Sequence, residues 1–125
     1  MNLVDSSAWL EYFADGPNAD FFAPAIERSR DLLVPTIVVF EVYKRVLQQR
    51  SERAALEAVS VLQHGQIIEL SAALAIAAAR ISQHEKLPMA DSIILATARG
   101  LNAIIWTQES DFEKMDRVKY RAAKR

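Results

Sequence analysis

Cysteine is absent from this 125-residue chain, and glycine (3), proline (4) and histidine (2) are scarce. Without cysteine there is no disulfide framework, no thiolate zinc site and no thiol nucleophile. No glycine-rich segment of the kind that cradles phosphates is present. Long apolar runs are missing too. The run at 72–79 falls far short of the roughly 18 residues that suggest a membrane span. The opening MNLVDSSAWLEYF has no basic stretch and meets an acid at Asp5, so it is not expected to act as a secretory signal. The expectation is a soluble, cytoplasmic protein with no membrane contact.

Half of the residues (51%) are hydrophobic, 25% are charged, and the formal net charge is −1. That usage excludes disorder as the main state, which needs low hydrophobicity and high net charge. The length suits one domain over 1–125, able to bury a core without staples. The charge is unevenly placed. Residues 114–125 hold six Lys/Arg against one acid, Asp116, whereas the first 113 hold nine against 15. A basic tail of this kind can touch phosphates; charge alone predicts a frayed, solvated terminus.

The pattern reads as strands alternating with helices. Leu3–Val4 ends a short buried strand. Residues 6–14 read as a helix capped by Ser6 or Ser7, with Trp9, Leu10 and Phe13 on one face, stopped by Asp15-Gly16-Pro17. Residues 18–30 are helical with a break or fresh start at Pro24. LLVP at 32–35 is a second strand. Residues 36–50 contain a β-branched run that tolerates a strand, but Val38, Val42, Val46 and Leu47 recur at helical spacing, so a helix is expected. A helix over 51–63, a strand over 66–70, an Ala-rich helix from Ser71 to about Glu85, a helix from Pro88 to Gly100, a strand over 103–106 and a short fifth strand over 118–120 complete the reading. Such alternation predicts an α/β fold, a three-layer α/β/α sandwich with a central parallel sheet of four to five strands.

In such sheets ligands bind beyond the carboxyl ends of the strands, and solitary acids are expected there. Asp5 closes the first strand. Glu41 is the only acid from Leu32 through Ser51, and Asp91 the only one between Glu85 and Glu109. Glu109 and Asp111 follow the fourth strand. Each has a purely structural alternative. Asp5 can cap its helix, Asp91 can favour a helix N-terminus, Glu41 can pair with Arg45 at i,i+4, and Glu109 and Asp111 can be turn residues. Joint placement favours a site. Several carboxylates in one cleft repel unless a hard divalent cation neutralises them, and oxygen-only ligation suits Mg²⁺ or Mn²⁺. An aspartyl phosphotransferase would want Asp-x-Asp after the first strand, and Asp5-Ser6-Ser7 does not supply it.

At these residues the sequence resembles the PIN domain family, specifically the VapC-type toxins of type II toxin–antitoxin pairs. The resemblance is carried in order by VDSSAWLEYF, VPTIVVFEVYK, LPMADSIILATA and WTQESDF. It implies a Mg²⁺- or Mn²⁺-dependent endoribonuclease. Asp5, Glu41 and Asp91 match the acidic metal-ligand positions. Glu109 stands where the family usually has Asp or Asn two residues after the Thr, here Thr107, and Asp111 competes for that fourth role. Ser7 and Thr107 resemble supporting hydrogen-bonders. Lys44, Arg45, Arg99 and the basic tail are candidates to hold RNA, with solvated helix faces as the alternative. His64 and His84 are expected to be merely solvated. The resemblance also implies a VapB-type antitoxin docking near the aromatic-rich first two helices (Trp9, Phe13, Phe21, Phe22), and a homodimer. Two other classes compete: a catalytically silent PIN-like binding module for RNA or protein, and a phosphohydrolase acting on small molecules.

Overall fold

A computed structural model describes residues 1–124 of the chain. Its centre is set by two apolar runs. Leu3 and Val4 lie in strand β1 (Asn2–Val4), and all four residues of β2 (Leu32–Pro35) are buried. Strands without a polar face belong inside a sheet covered on both sides. β1 pairs in parallel with β2 and with β4 (Ile104–Thr107), and β2 pairs with β3 (Gln66–Ile68). The fifth strand, β5 (Val118–Tyr120), pairs in parallel with β4. The order is β3-β2-β1-β4-β5, all parallel. The expected sheet is therefore present, with five strands.

Helices α1 (Ser6–Phe13), α2 (Ala19–Glu27), α3 (Thr36–Gln49), α4 (Glu52–Leu62), α5 (Ala72–Glu85) and α6 (Met89–Gly100) flank it. None is long and apolar enough to cross a membrane among the described residues. The ambiguous 36–50 segment is a helix because Val38, Val42 and Val46 form one buried stripe at i, i+4, i+8. α6 is the most deeply embedded, with Ser92 through Ala98 all buried. At the α5–α6 corner the Ser82 hydroxyl donates to the Leu87 carbonyl and the Ser92 hydroxyl to the Pro88 carbonyl, each at 2.8 Å.

Three local expectations are corrected. Of the caps the sequence offered for α1, Ser6 and Ser7 do not serve and Asp5 does: its carboxylate accepts from the Ala8 N–H at 3.2 Å. Pro24 does not break α2. It lies on the exposed face one turn beyond Asp20, itself an exposed residue, while Ala19, Phe22, Ala25 and Ile26 hold the helix to the core. The basic tail is not frayed through residue 122. After β5 the Arg121 N–H donates to the Thr107 carbonyl at 3.1 Å, and the Asn18 side-chain amide donates to the Ala122 carbonyl at 2.9 Å. Arg121 also lies 4.3 Å from the centre of the Phe21 ring.

Candidate metal centre

The chain turns away from β1 on one side and from β4 on the other, so the sheet has its topological switch between these two neighbours. A crevice outside their carboxyl ends is where open parallel sheets bind ligands. Asp5 follows β1 directly, and its N–H still donates to the Trp106 carbonyl of β4 at 3.1 Å. Asp91 enters from the first turn of α6. Glu109 leaves β4 two residues after Thr107, and Asp111 lies in a short 3₁₀ turn, Ser110–Phe112, pinned by the fully buried Phe112 ring.

Asp91, Glu109 and Asp111 each place a carboxylate oxygen so that all three lie within 4.8 Å of one another. Asp5, only 2% exposed, lies close enough for its charge to act on Asp91 and for Glu109 to act on it. The Asp5 carboxylate is held on both oxygens. Ser7 Oγ donates to Oδ1 at 2.7 Å and Thr107 Oγ1 donates to Oδ2 at 2.5 Å. With the Ala8 N–H, that fills three of its roughly four acceptor positions and leaves one. Thr107 Oγ1 also accepts the Glu109 N–H at 2.8 Å, so one hydroxyl ties the β1 acid to the β4 acid. Ser7 and Thr107, the two expected supporting residues, are thus placed one on each oxygen of Asp5.

Crowding of like charge leaves its mark on titration. Burial pushes the Asp5 carboxyl up to about 6, against the lowering effect of hydrogen bonds from Thr107, Ser7 and Ala8. Asp91 is pushed up to about 7, first by burial, then by hydrogen bonding to Asp111 and by the charges of Glu109, Asp111 and Asp5. This is the expected state of an acidic cluster without a counter-ion. A hard divalent cation would reverse it. The donor set fits such an ion: all ligands are oxygens, and the span approaches the ~4.2 Å between opposite oxygens around Mg²⁺.

Glu41 lies outside the three-acid group. Its Oε1 accepts from Ser6 Oγ at 2.5 Å, so it is joined to the residue next to Asp5. Among the described residues it makes no ion pair with Arg45. Glu41, Lys44 and Arg45 instead line one recess of about 320 Å³ with Phe40 and Gln48. Arg99 is not brought to the acids. It lies eight residues, about 12 Å, along α6 from Asp91, and its guanidinium is held by Glu85 through contacts of 2.6 and 3.2 Å. His64 and His84 are both exposed. Sequence reasoning missed Ser6 as the partner of Glu41. It also missed Asn18 and Gln108, which brace the loop carrying Glu109: Asn18 Nδ2 donates to Gln108 Oε1 at 2.7 Å. Nothing in the local pattern at Asn18, read as a helix start, signals a partner 90 residues away.

A family model for the PIN domain matches residues 3–118. No curated protein matches the chain. Solved structures superpose on nearly all of it. One is a toxin–antitoxin complex from Klebsiella pneumoniae (TM-score 0.79, 24% identity, 95% of this chain and 96% of that one). Another is VapC20 of Mycobacterium tuberculosis, a sarcin–ricin loop cleaving toxin (TM-score 0.77, 17% identity, 94% and 97%). A third is FitAcB of Neisseria gonorrhoeae (TM-score 0.73, 21% identity, 97% and 97%). The likeness to these structures is one of fold. The family match runs from β1 into β5 and takes in every element that carries one of these acids, and on that ground the chain belongs to the PIN domain family.

Proposed function

We propose that this protein is a Mg²⁺- or Mn²⁺-dependent endoribonuclease and the toxin of a toxin–antitoxin pair. The observation that carries the reading is the meeting of Asp91, Glu109 and Asp111 beside buried Asp5 at the switch point of the sheet. Asp91, Glu109 and Asp111 hold the ion, with Asp5 on its remaining lone pair as a fourth oxygen donor. When bound, the ion supplies charge neutralisation at a scissile phosphate and an acidified water. Thr107 and Ser7 keep Asp5 in one orientation. Glu41, joined through Ser6 to the residue next to Asp5, would orient the attacking water or complete the ligand set. Lys44 and Arg45, exposed beside Glu41, hold the RNA backbone, while Arg99 is occupied by Glu85 and takes no part.

The partner is an antitoxin of VapB type. Leu10, Phe13, Val46, Ala58 and Val61 line a recess of about 270 Å³ where α1, α3 and α4 meet, which suits an apolar helical segment. Of the aromatics expected there, Trp9 and Phe22 belong to the core and only Phe13 lines the recess. Homodimer formation would cover the exposed Leu70, Ile76 and Met89 around α5 and α6. The cytoplasm, where RNA is met, is the proposed compartment.

The test is cleavage of purified RNA by the metal-free protein with Mg²⁺ or Mn²⁺ restored. Fragments that appear with the ion and vanish with chelator support the reading. RNA left intact with either ion would show a binding module in which the acids are structural.

A further inference from the structure

Asn18 stands at the N-cap of α2 and is only 1% exposed, yet its side chain makes no capping bond. An asparagine there ordinarily offers its carbonyl oxygen to the first turn. Here Oδ1 finds no partner among the described residues. The amide nitrogen is turned away from the helix, and both its hydrogens are used, one on Gln108 Oε1 (2.7 Å) and one on the Ala122 carbonyl (2.9 Å). Asn18 itself is fixed through its backbone N–H, which donates to Glu11 Oε2 at 2.6 Å. The side chain thus forgoes a local bond to join two segments that are 90 and 104 residues distant.

Both segments lead to the acids. The Gln108 N–H donates to Ser7 Oγ (3.2 Å), which donates to Asp5 Oδ1. The Arg121 N–H donates to the carbonyl of Thr107, whose hydroxyl donates to Asp5 Oδ2 and accepts from Glu109. The Arg121 guanidinium over Phe21 seats the tail on α2, and Phe21 packs on Trp106 with ring centres 5.5 Å apart. The geometry points to a latch: Asn18, Gln108 and the tail at Arg121–Ala122 are positioning residues that hold the Thr107–Glu109 segment against β1, so that Glu109 and Asp5 face one ion. The basic tail, on this account, acts as a strap that ties the end of β4 to α2 rather than as an RNA contact. The effect on metal binding rests on the function proposed above, whereas the latch itself does not.

Amide exchange of the full-length, metal-free protein tests the latch directly, with Asn18→Ala and Gln108→Met as variants and Mn²⁺ titration as the second readout. Gln108→Met keeps length and loses the acceptor at a partly exposed position, so it tests the latch even where Asn18→Ala fails to fold. The expected result is exchange at Gln108, Glu109 and Arg121 at least tenfold faster while α6 amides keep their protection. Mn²⁺ affinity should weaken by about tenfold, as for other residues that orient metal ligands, and the double variant should be no worse than the worse single. Unchanged protection at Gln108 and Glu109 overturns the latch, as does a uniform rise across β1 and α6, which would mean a merely structural role. A parent that binds no Mn²⁺ but shows the loop-selective loss would overturn the metal reading and leave the latch supported.

Discussion

Asp5 shows how one side chain takes on two duties. It caps α1 through the Ala8 N–H and keeps one acceptor position free beside the acidic cluster. Asn at the same position keeps the cap on its one oxygen and removes the buried charge, which offsets the loss of Oδ2 as acceptor for Thr107. Asp5→Asn is therefore expected to fold, with stability at neutral pH equal to or above the parent's, while metal-dependent RNA cleavage falls by about a hundredfold or more. Circular dichroism and cleavage of a fluorescent RNA check the two halves. Thr107, fully buried, holds Asp5 and Glu109 with one hydroxyl. Thr107→Val removes a hydrogen bond to a charged group, and urea titration is expected to show a loss of about 1.5–3 kcal/mol.

At the scale of elements, the strands and most helices were legible because their signals are local. LLVP has no polar face and Val38, Val42 and Val46 recur at i+4. Pro24 misled because its cost depends on where the ring points, and here it points to water. Pro24→Ala restores the missing bond to the Asp20 carbonyl. The helix-interior penalty of about 3 kcal/mol, less about 1 kcal/mol of unfolded-chain entropy, predicts a gain of about 2 kcal/mol in urea unfolding. Gly65 shows the opposite constraint just before β3. An added Cβ would stand 2.9 Å from Val34 Cγ2 and 3.0 Å from the Leu32 carbonyl oxygen. Gly65→Ala is expected to cost about 1–3 kcal/mol by the same measurement, because the neighbours belong to the buried β2.

For the molecule as a whole, the site was legible only as a set of solitary acids. That Asp91 meets Glu109 and Asp111 follows from the strand order, which no single segment reveals. The loop braces and the ordered tail were illegible for the same reason, since Asn18, Gln108 and Ala122 recognise each other only after the sheet has formed. The acids also set a pH dependence. Burial and neighbouring charge push Asp5 and Asp91 up to about 6 and about 7 in the folded protein, against 3.8 for an ordinary aspartate. Between those values the folded state binds more protons than the unfolded, so stability falls as pH rises from about 4 to 7. The metal-free protein should have a higher thermal midpoint at about pH 5 than at about pH 7.5. Mn²⁺ should raise the midpoint more at the higher pH, which scanning calorimetry with and without chelator reads.

The central claim is that acids from opposite ends of the chain serve one divalent ion. Calorimetric titration of the metal-free protein with Mn²⁺ at about pH 7.5, alongside Asp5→Asn and Asp91→Asn, tests it most directly. The account predicts saturable binding in the parent that weakens by about tenfold or more in each variant. Folded variants that bind Mn²⁺ as tightly as the parent would contradict it.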